Sequence, residues 1–364
     1  MFTLKSLRTV ANTYISMVTE NYVTDMLTEA AKGDDPSKEG GASNNTKGVL
    51  HELLVGKHLN GGRHMEKHDL IHPETKVRET PTVAHNRLKD AIHPKDYKRI
   101  AARASSAAEH IKAHIAKTHP GHEIAGVFHT SKAGDTKKVT GITATQKQDS
   151  SDVYVSTKHP KTGQIVHHGI SLKVSDTGTK HLPSSSLGRE SSGKEAPALH
   201  DAHKETIIKK FPALSGKNKD QRKDMMKSDP HMASTVHAHN RELLHSTSKA
   251  HASELQGHLN SGNHAHVVSH IRDVLHAHKT PAQKAGHTFF KHTTYTTAAG
   301  AQHHISHPHK DYEHILKDPK NISVAHSGQA VDFLHKGKKF ATQAHKFGSQ
   351  SDPLDSLKSA GRSA

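Results

Sequence analysis

SDVYVST (151–157) and GQIVHHGISLKVS (163–175), joined through the link KHPKTG (158–163), decide how this chain is read. Val153 and Val155 alternate with polar residues, and so do Ile170, Leu172 and Val174, which is the period of a strand with one apolar face. The link holds a proline and a glycine, as a connection between two antiparallel strands should. Ser171, Lys173 and Ser175 then share the face opposite Ile170 and Leu172. A lysine projecting from the middle of a core strand needs a polar partner, because a buried unpaired charge is costly. The hairpin supplies one by bringing Asp152 into the neighbourhood of Lys173.

Upstream, GVLHELLVGKHL (48–59) reads as a short apolar helix. Glu52 sits on it with Val49, Val55, Gly56 and Leu59 at helical spacing, so a carboxylate falls within an apolar stripe. Such a group calls for a lysine or a metal ion beside it. Earlier still, 4–31 reads as an amphipathic helix and 33–48 as a flexible link. Residues 63–98 read as polar loop with a short helix, and 98–118 as a helix stopped by His119-Pro120-Gly121. EIAGVFHT (123–130) and VTGITATQ (139–146) read as strands preceding the hairpin. Beyond it, 183–195 is Ser-rich and mobile in character, helices dominate 196–279, and TFFKHTTYTT (288–297) is again a strand. ISVAHSG and AVDFLHKGKKFATQAHKF supply further strands. Four segments result: an N-terminal helix and linker (1–47), a core (48–182), a Ser-rich loop and helical region (183–285), and a C-terminal strand-containing region (286–364) that can join the core.

Lys and Arg total 51 against 35 Asp and Glu in 364 residues, a net charge of +16. A positive field of that size favours polyanions, since binding phosphates releases condensed counterions. KDYKRIAARA (95–104), with Lys95, Lys98, Arg99 and Arg103, and KGKK (336–339), with Lys336, Lys338 and Lys339, are the candidate backbone contacts. A solvated face accounts for such runs equally well. With 4% aromatic residues and no Trp, a base-stacking platform is disfavoured, and duplex DNA is the favoured partner over single strands. The absence of cysteine excludes disulfides, thiolate catalysis and Cys-based zinc sites. The N-terminal sequence lacks the apolar core of a signal peptide, and no stretch approaches the ~18 apolar residues of a membrane helix. The expectation is a cytoplasmic protein that is not secreted.

Histidine, at 39 residues, invites a metal-binding interpretation. Random placement would give about four pairs at any fixed spacing, and the H-x-H pairs number four, so this ligand spacing is not enriched. Pairs at i+4, such as His64/His68 and His110/His114, are likewise near chance. Most histidines are therefore expected to be solvated, adding positive charge and DNA affinity as pH drops toward 6. His51-Glu52-Leu53-Leu54-Val55 is not a zinc-protease motif, because the second ligand position holds Val55. No phosphate-loop, dinucleotide-binding or serine-hydrolase motif occurs.

Glu on a helix, Asp entering a strand, then x-x-Lys on the next strand resembles the PD-(D/E)XK nuclease superfamily, with Glu52, Asp152 and Ser171-Leu172-Lys173 in the order E…D…(D/E)-x-K. The resemblance spans roughly 45–180. The wording SDVYV…GISLK is also similar to that of tailed-phage proteins, which would place the chain in a host cytoplasm. It implies a restriction-endonuclease-like α+β or α/β fold, with a mixed central sheet flanked by helices, a helical insertion and additional C-terminal strands. It further implies hydrolysis of DNA phosphodiesters with Mg²⁺ or Mn²⁺. Asp152 and Glu52 would hold the metal, with the Leu172 carbonyl, and Lys173 would orient water or stabilise transition-state charge. The departure is Ser171, which stands where the family has its second acid and is a poor divalent-metal ligand. Asp176, three residues after Lys173, is turned away by strand alternation unless the strand ends first, so Glu190 or Glu205 from a following segment would have to substitute. The alternative expectation is a non-catalytic DNA-binding or virion-associated protein that keeps the fold.

Overall fold

A computed structural model describes residues 44–364 apart from 66–69, 72–77, 131–133, 146–147, 176–185, 188, 298–299, 350–351, 353 and 364. The helix expected at 4–31 and most of the link at 33–48 lie outside these residues, as does Asp176.

The apolar run around Leu50 becomes helix α1 (Asn44–Leu59). Strands β1 (Leu70–Ile71) and β2 (Arg78–Glu79) form a small antiparallel pair. Helix α2 (Pro81–Asp90) starts at Thr80, whose hydroxyl accepts the Val83 amide, and at Pro81, which has no amide to satisfy. Pro94 starts the 25-residue α3 (Pro94–Thr118) in the same way. The breaker at 119–121 ends it, with Gly121 at φ +77° turning the chain into β3 (Glu123–His129).

The segment 139–146 departs from the strand expected there. Residues Asp135–Thr140 form a short helix, α4, which Gly141 terminates at φ +76°. A side chain would be strained at that φ, and the buried Asp149 carboxylate accepts the Thr136 hydroxyl (3.3 Å), folding the segment back on itself.

β4 (Val153–Lys158) and β5 (Ile165–Ser175) form the hairpin, with Val153 opposite Ile170. After β6 (Ser186–Leu187) come the helices α5 (Ala196–Lys210), α6 (Lys219–Ser228), α7 (Pro230–Asn260), α8 (His264–Leu275) and α9 (Pro281–Lys284). β7 (Thr288–Thr297) then returns to lie parallel to β5, and β8 (Gly300–Ser306) pairs antiparallel with β7. The result is a five-stranded mixed sheet, β3-β4-β5-β7-β8, flanked by helices. β9 (Ile322–Ser327), β10 (Ala330–His335), β11 (Lys338–Phe347) and β12 (Leu357–Ser363) join β6 in a second, antiparallel sheet.

One face of the mixed sheet carries Val153, Val155, Ile170, Leu172 and Phe290 against Leu50, Leu53 and Val55 of α1 and Ile111 of α3. Each such fully buried side chain contributes about 1.5–3 kcal/mol of transfer free energy. The second sheet packs Val331, Phe333 and Ala341 against Leu255 of α7 and Ile271 of α8.

A minority of the histidines departs from the solvated population expected. Among the described residues nine are buried, including His51, His168, His292 and His345. A neutral imidazole suits such places when hydroxyls bond it: the His168 ring lies 2.9 Å from Thr157 Oγ1 and 2.7 Å from Thr288 Oγ1.

Candidate active site

Asp152 stands one residue before β4, where two backbone contacts fix its position. Its amide donates to the Ile170 carbonyl (2.8 Å), and its carbonyl accepts the Thr130 amide (3.0 Å). Behind it, Asp149 accepts the Ser151 amide (3.0 Å) and hydroxyl (2.6 Å) together with the Tyr154 phenol. Burial and the neighbouring Asp149 carboxylate push the Tyr154 phenol up, so it remains a donor. Tyr154 faces Gly169 across the hairpin, and a Cβ at Gly169 would press on Ser151 Oγ and on the Tyr154 ring. The glycine is needed for this close approach.

The Asp152 carboxylate projects beyond the end of β4 onto β5. Its Oδ2 accepts the Leu172 amide at 2.7 Å and lies 3.4 Å from both the Ser171 hydroxyl and Lys173 Nζ. Glu52 comes from α1, where its Oε2 lies 3.2 Å from His129 Nε2 at the end of β3. Burial first, and the Glu52 carboxylate second, hold the Asp152 carboxyl above the usual range, against Lys173 and the Leu172 amide. Glu52, Asp152, Ser171 and Lys173 are therefore brought together. Asp152 enters β4 beside the carboxyl end of β3, and Ser171 and Lys173 lie in the carboxyl half of β5.

Three further residues meet here that the sequence alone did not single out. His129 is one. Lys291, on β7, is the register partner of Ser171 and is buried. Burial, then the Lys173 charge, push its ammonium down to about 7. His276 caps α8 in the left-handed region (φ 51°), and its pKa is lowered by burial and then by Lys291, with Lys173 a smaller influence.

Two carboxylates close enough to oppose each other's ionisation are oxygen donors of the kind a hard divalent cation such as Mg²⁺ or Mn²⁺ takes. By strand alternation the Leu172 carbonyl points to the same edge as its amide, toward Asp152. Among the described residues no three His, Asp or Glu side chains group to hold one ion, so the protein side chains would supply the two carboxylates. Glu205 is exposed on α5.

The basic runs separate into surface and interior. Lys95, Lys98 and Arg99 are exposed on α3, Arg99 bonding Asp96 at 3.1 Å. Arg103 is instead buried, donating to Thr296 Oγ1 of β7, which removes it from the exposed basic face. KGKK is the turn of the β10–β11 hairpin: Lys336 (φ 52°) and Gly337 (φ 77°) are its two central residues. Lys336 pairs with Asp318 (3.6 Å) and Lys339 with Asp332 (3.4 Å), while Lys338 is exposed. No helix among the described residues is long and apolar enough to cross a membrane. Comparison of the chain with protein-family models, curated proteins and solved structures finds no match.

Proposed function

We propose that this protein is a metal-dependent deoxyribonuclease whose site is built from Glu52, Asp152 and Lys173 in the manner of the PD-(D/E)XK nucleases. The observation that carries the reading is the Asp152 carboxylate held 3.4 Å from Lys173 Nζ, with Glu52 near enough to oppose its ionisation. A helix ahead of an antiparallel hairpin, followed by a crossover to a parallel strand, supports the restriction-endonuclease-like fold that this resemblance implies. A divalent cation between the carboxylates would supply Lewis acidity at the phosphodiester. Lys173 then donates to the phosphate oxygen on which charge accumulates, and Asp152 holds the lysine in place. The surplus of 51 basic over 35 acidic residues supports a polyanionic substrate, with duplex DNA favoured. The experiment is cleavage of supercoiled and linear DNA with Mg²⁺, Mn²⁺ or EDTA.

A second reading rests on Ser171. It occupies the second acidic position and points its hydroxyl at Asp152 instead of adding a carboxylate. A protein that binds DNA but cuts none in either metal would be a non-catalytic DNA-binding or virion-associated protein that keeps the nuclease framework.

A further inference from the structure

We propose that His129 is the positioning residue of the two-carboxylate site, holding Glu52 near Asp152 so that a divalent cation finds both acids in place. The inference rests on the nuclease reading but is tested separately from it.

Strand alternation puts His129 where an aliphatic residue would continue the core. Val127 and His129 share one face of β3, and Val127 belongs to the apolar cluster that includes Leu50 and Leu53 of α1. Their register partners, Val155 and Val153, are core residues too. His129 is 3% exposed, so its ring gives up water and needs a polar partner. Glu52 is that partner, with its Oε2 3.2 Å from Nε2. An ionised carboxylate only accepts, so Nε2 carries a proton and donates it to the bond.

Glu52 needs such an anchor. Rotatable bonds separate its carboxylate from α1, and fixing a glutamate side chain costs about 1.5–2 kcal/mol. Glu52 is 21% exposed, so water is open to it, and the Asp152 carboxylate opposes its staying. The bond from His129 offsets both tendencies and engages Oε2, which leaves Oε1 to a cation. The next residue of the chain serves the other acid. Thr130 donates its amide to the Asp152 carbonyl (3.0 Å) and its hydroxyl to the Ser151 carbonyl. Two consecutive residues at the end of β3 thus hold both acids. With Nε2 given to Glu52, His129 acts through that carboxylate and is not a third ligand, consistent with a site of two side-chain donors.

The test is Mn²⁺ binding by the full chain without DNA, followed by calorimetry and by the electron paramagnetic resonance of free Mn²⁺. His129→Leu, which suits the apolar face, should bind Mn²⁺ about 10–100-fold more weakly, the usual effect of removing a group that orients a metal ligand. His129→Asn, polar but too short to reach Glu52, should lose as much. His129→Gln, whose amide N–H can stand in for Nε2–H, should bind within about threefold of the wild type. Circular dichroism and thermal melting report the fold of each variant. Leucine and asparagine variants that bind Mn²⁺ as the wild type does overturn the assignment and leave the nuclease reading intact. A folded glutamine variant as weak as the leucine variant overturns it too. Affinity lost with leucine and regained with glutamine, in a wild type that never cuts DNA, keeps the assignment and defeats the nuclease reading. A wild type that takes up no Mn²⁺, alone or with duplex, overturns both.

Discussion

Leu172 donates its backbone amide to the Asp152 carboxylate at 2.7 Å, so a side chain continues the hydrogen-bond ladder where the main chain of β4 has ended. The same oxygen faces Lys173, and Glu52 stands nearby. An acid placed this way is positioned at the cost of its own ionisation.

That arrangement predicts that charge removal stabilises the fold. The Asp152 carboxyl is raised above its unfolded value, so it favours folding when protonated, and this contribution is lost as pH rises through the folded pKa of about 6. Asp152→Asn should therefore raise the melting midpoint at pH 7.5 by about 1–3 °C while abolishing cleavage. Mg²⁺ should raise the wild-type midpoint and leave the variant unmoved. Thermal melts with and without Mg²⁺ check both.

Lys173→Met should lower kcat by about 10²–10³-fold, the usual cost of losing a donor to developing charge, with KM changed only a few-fold. Steady-state cleavage of a short duplex separates the two parameters. A change confined to KM would make Lys173 a binding residue only.

Gly169→Ala should destabilise by about 1–3 kcal/mol, because its Cβ would displace Ser151 or the Tyr154 ring. Both groups bond Asp149 and hold the turn into Asp152. Urea unfolding gives the stability, and cleavage should fall further than stability alone explains.

Buried histidines predict sensitivity to acid. Burial pushes His51 and His345 down to about 4 and His168 to about 3. The unfolded chain binds protons near 6.5 while the folded chain does not, so stability falls as pH drops from about 6.5 toward 4. The urea midpoint should be lower at pH 5 than at pH 7. These histidines also gain no charge at pH 6, so they add nothing to the rise in DNA affinity that the histidine count alone suggests.

The hairpin and its two polar side chains were legible because alternation is a local signal: Val153, Ile170 and Leu172 declare one face, and Lys173 the other. Glu52 was visible as a carboxylate in an apolar stripe. Lys291 was not, because β7 pairs with β5 across a long helical excursion, and parallel pairing leaves no local trace. The segment at 139–146 misled because its valine and threonines suit a strand, whereas Gly141 and the bond from Thr136 to Asp149 dictate a helix and a return. Histidine spacing tested for metal motifs and was blind to packing, where His168 bonds Thr157 and Thr288, residues distant from one another in sequence.

The most direct measurement is single-turnover cleavage of an end-labelled DNA duplex by wild-type protein, Glu52→Gln, Asp152→Asn and Lys173→Met, each with Mg²⁺ and with EDTA. The account predicts cutting by the wild type in Mg²⁺ only, and loss of cutting in all three folded variants. Cleavage that survives EDTA, or that persists in Asp152→Asn, would contradict it.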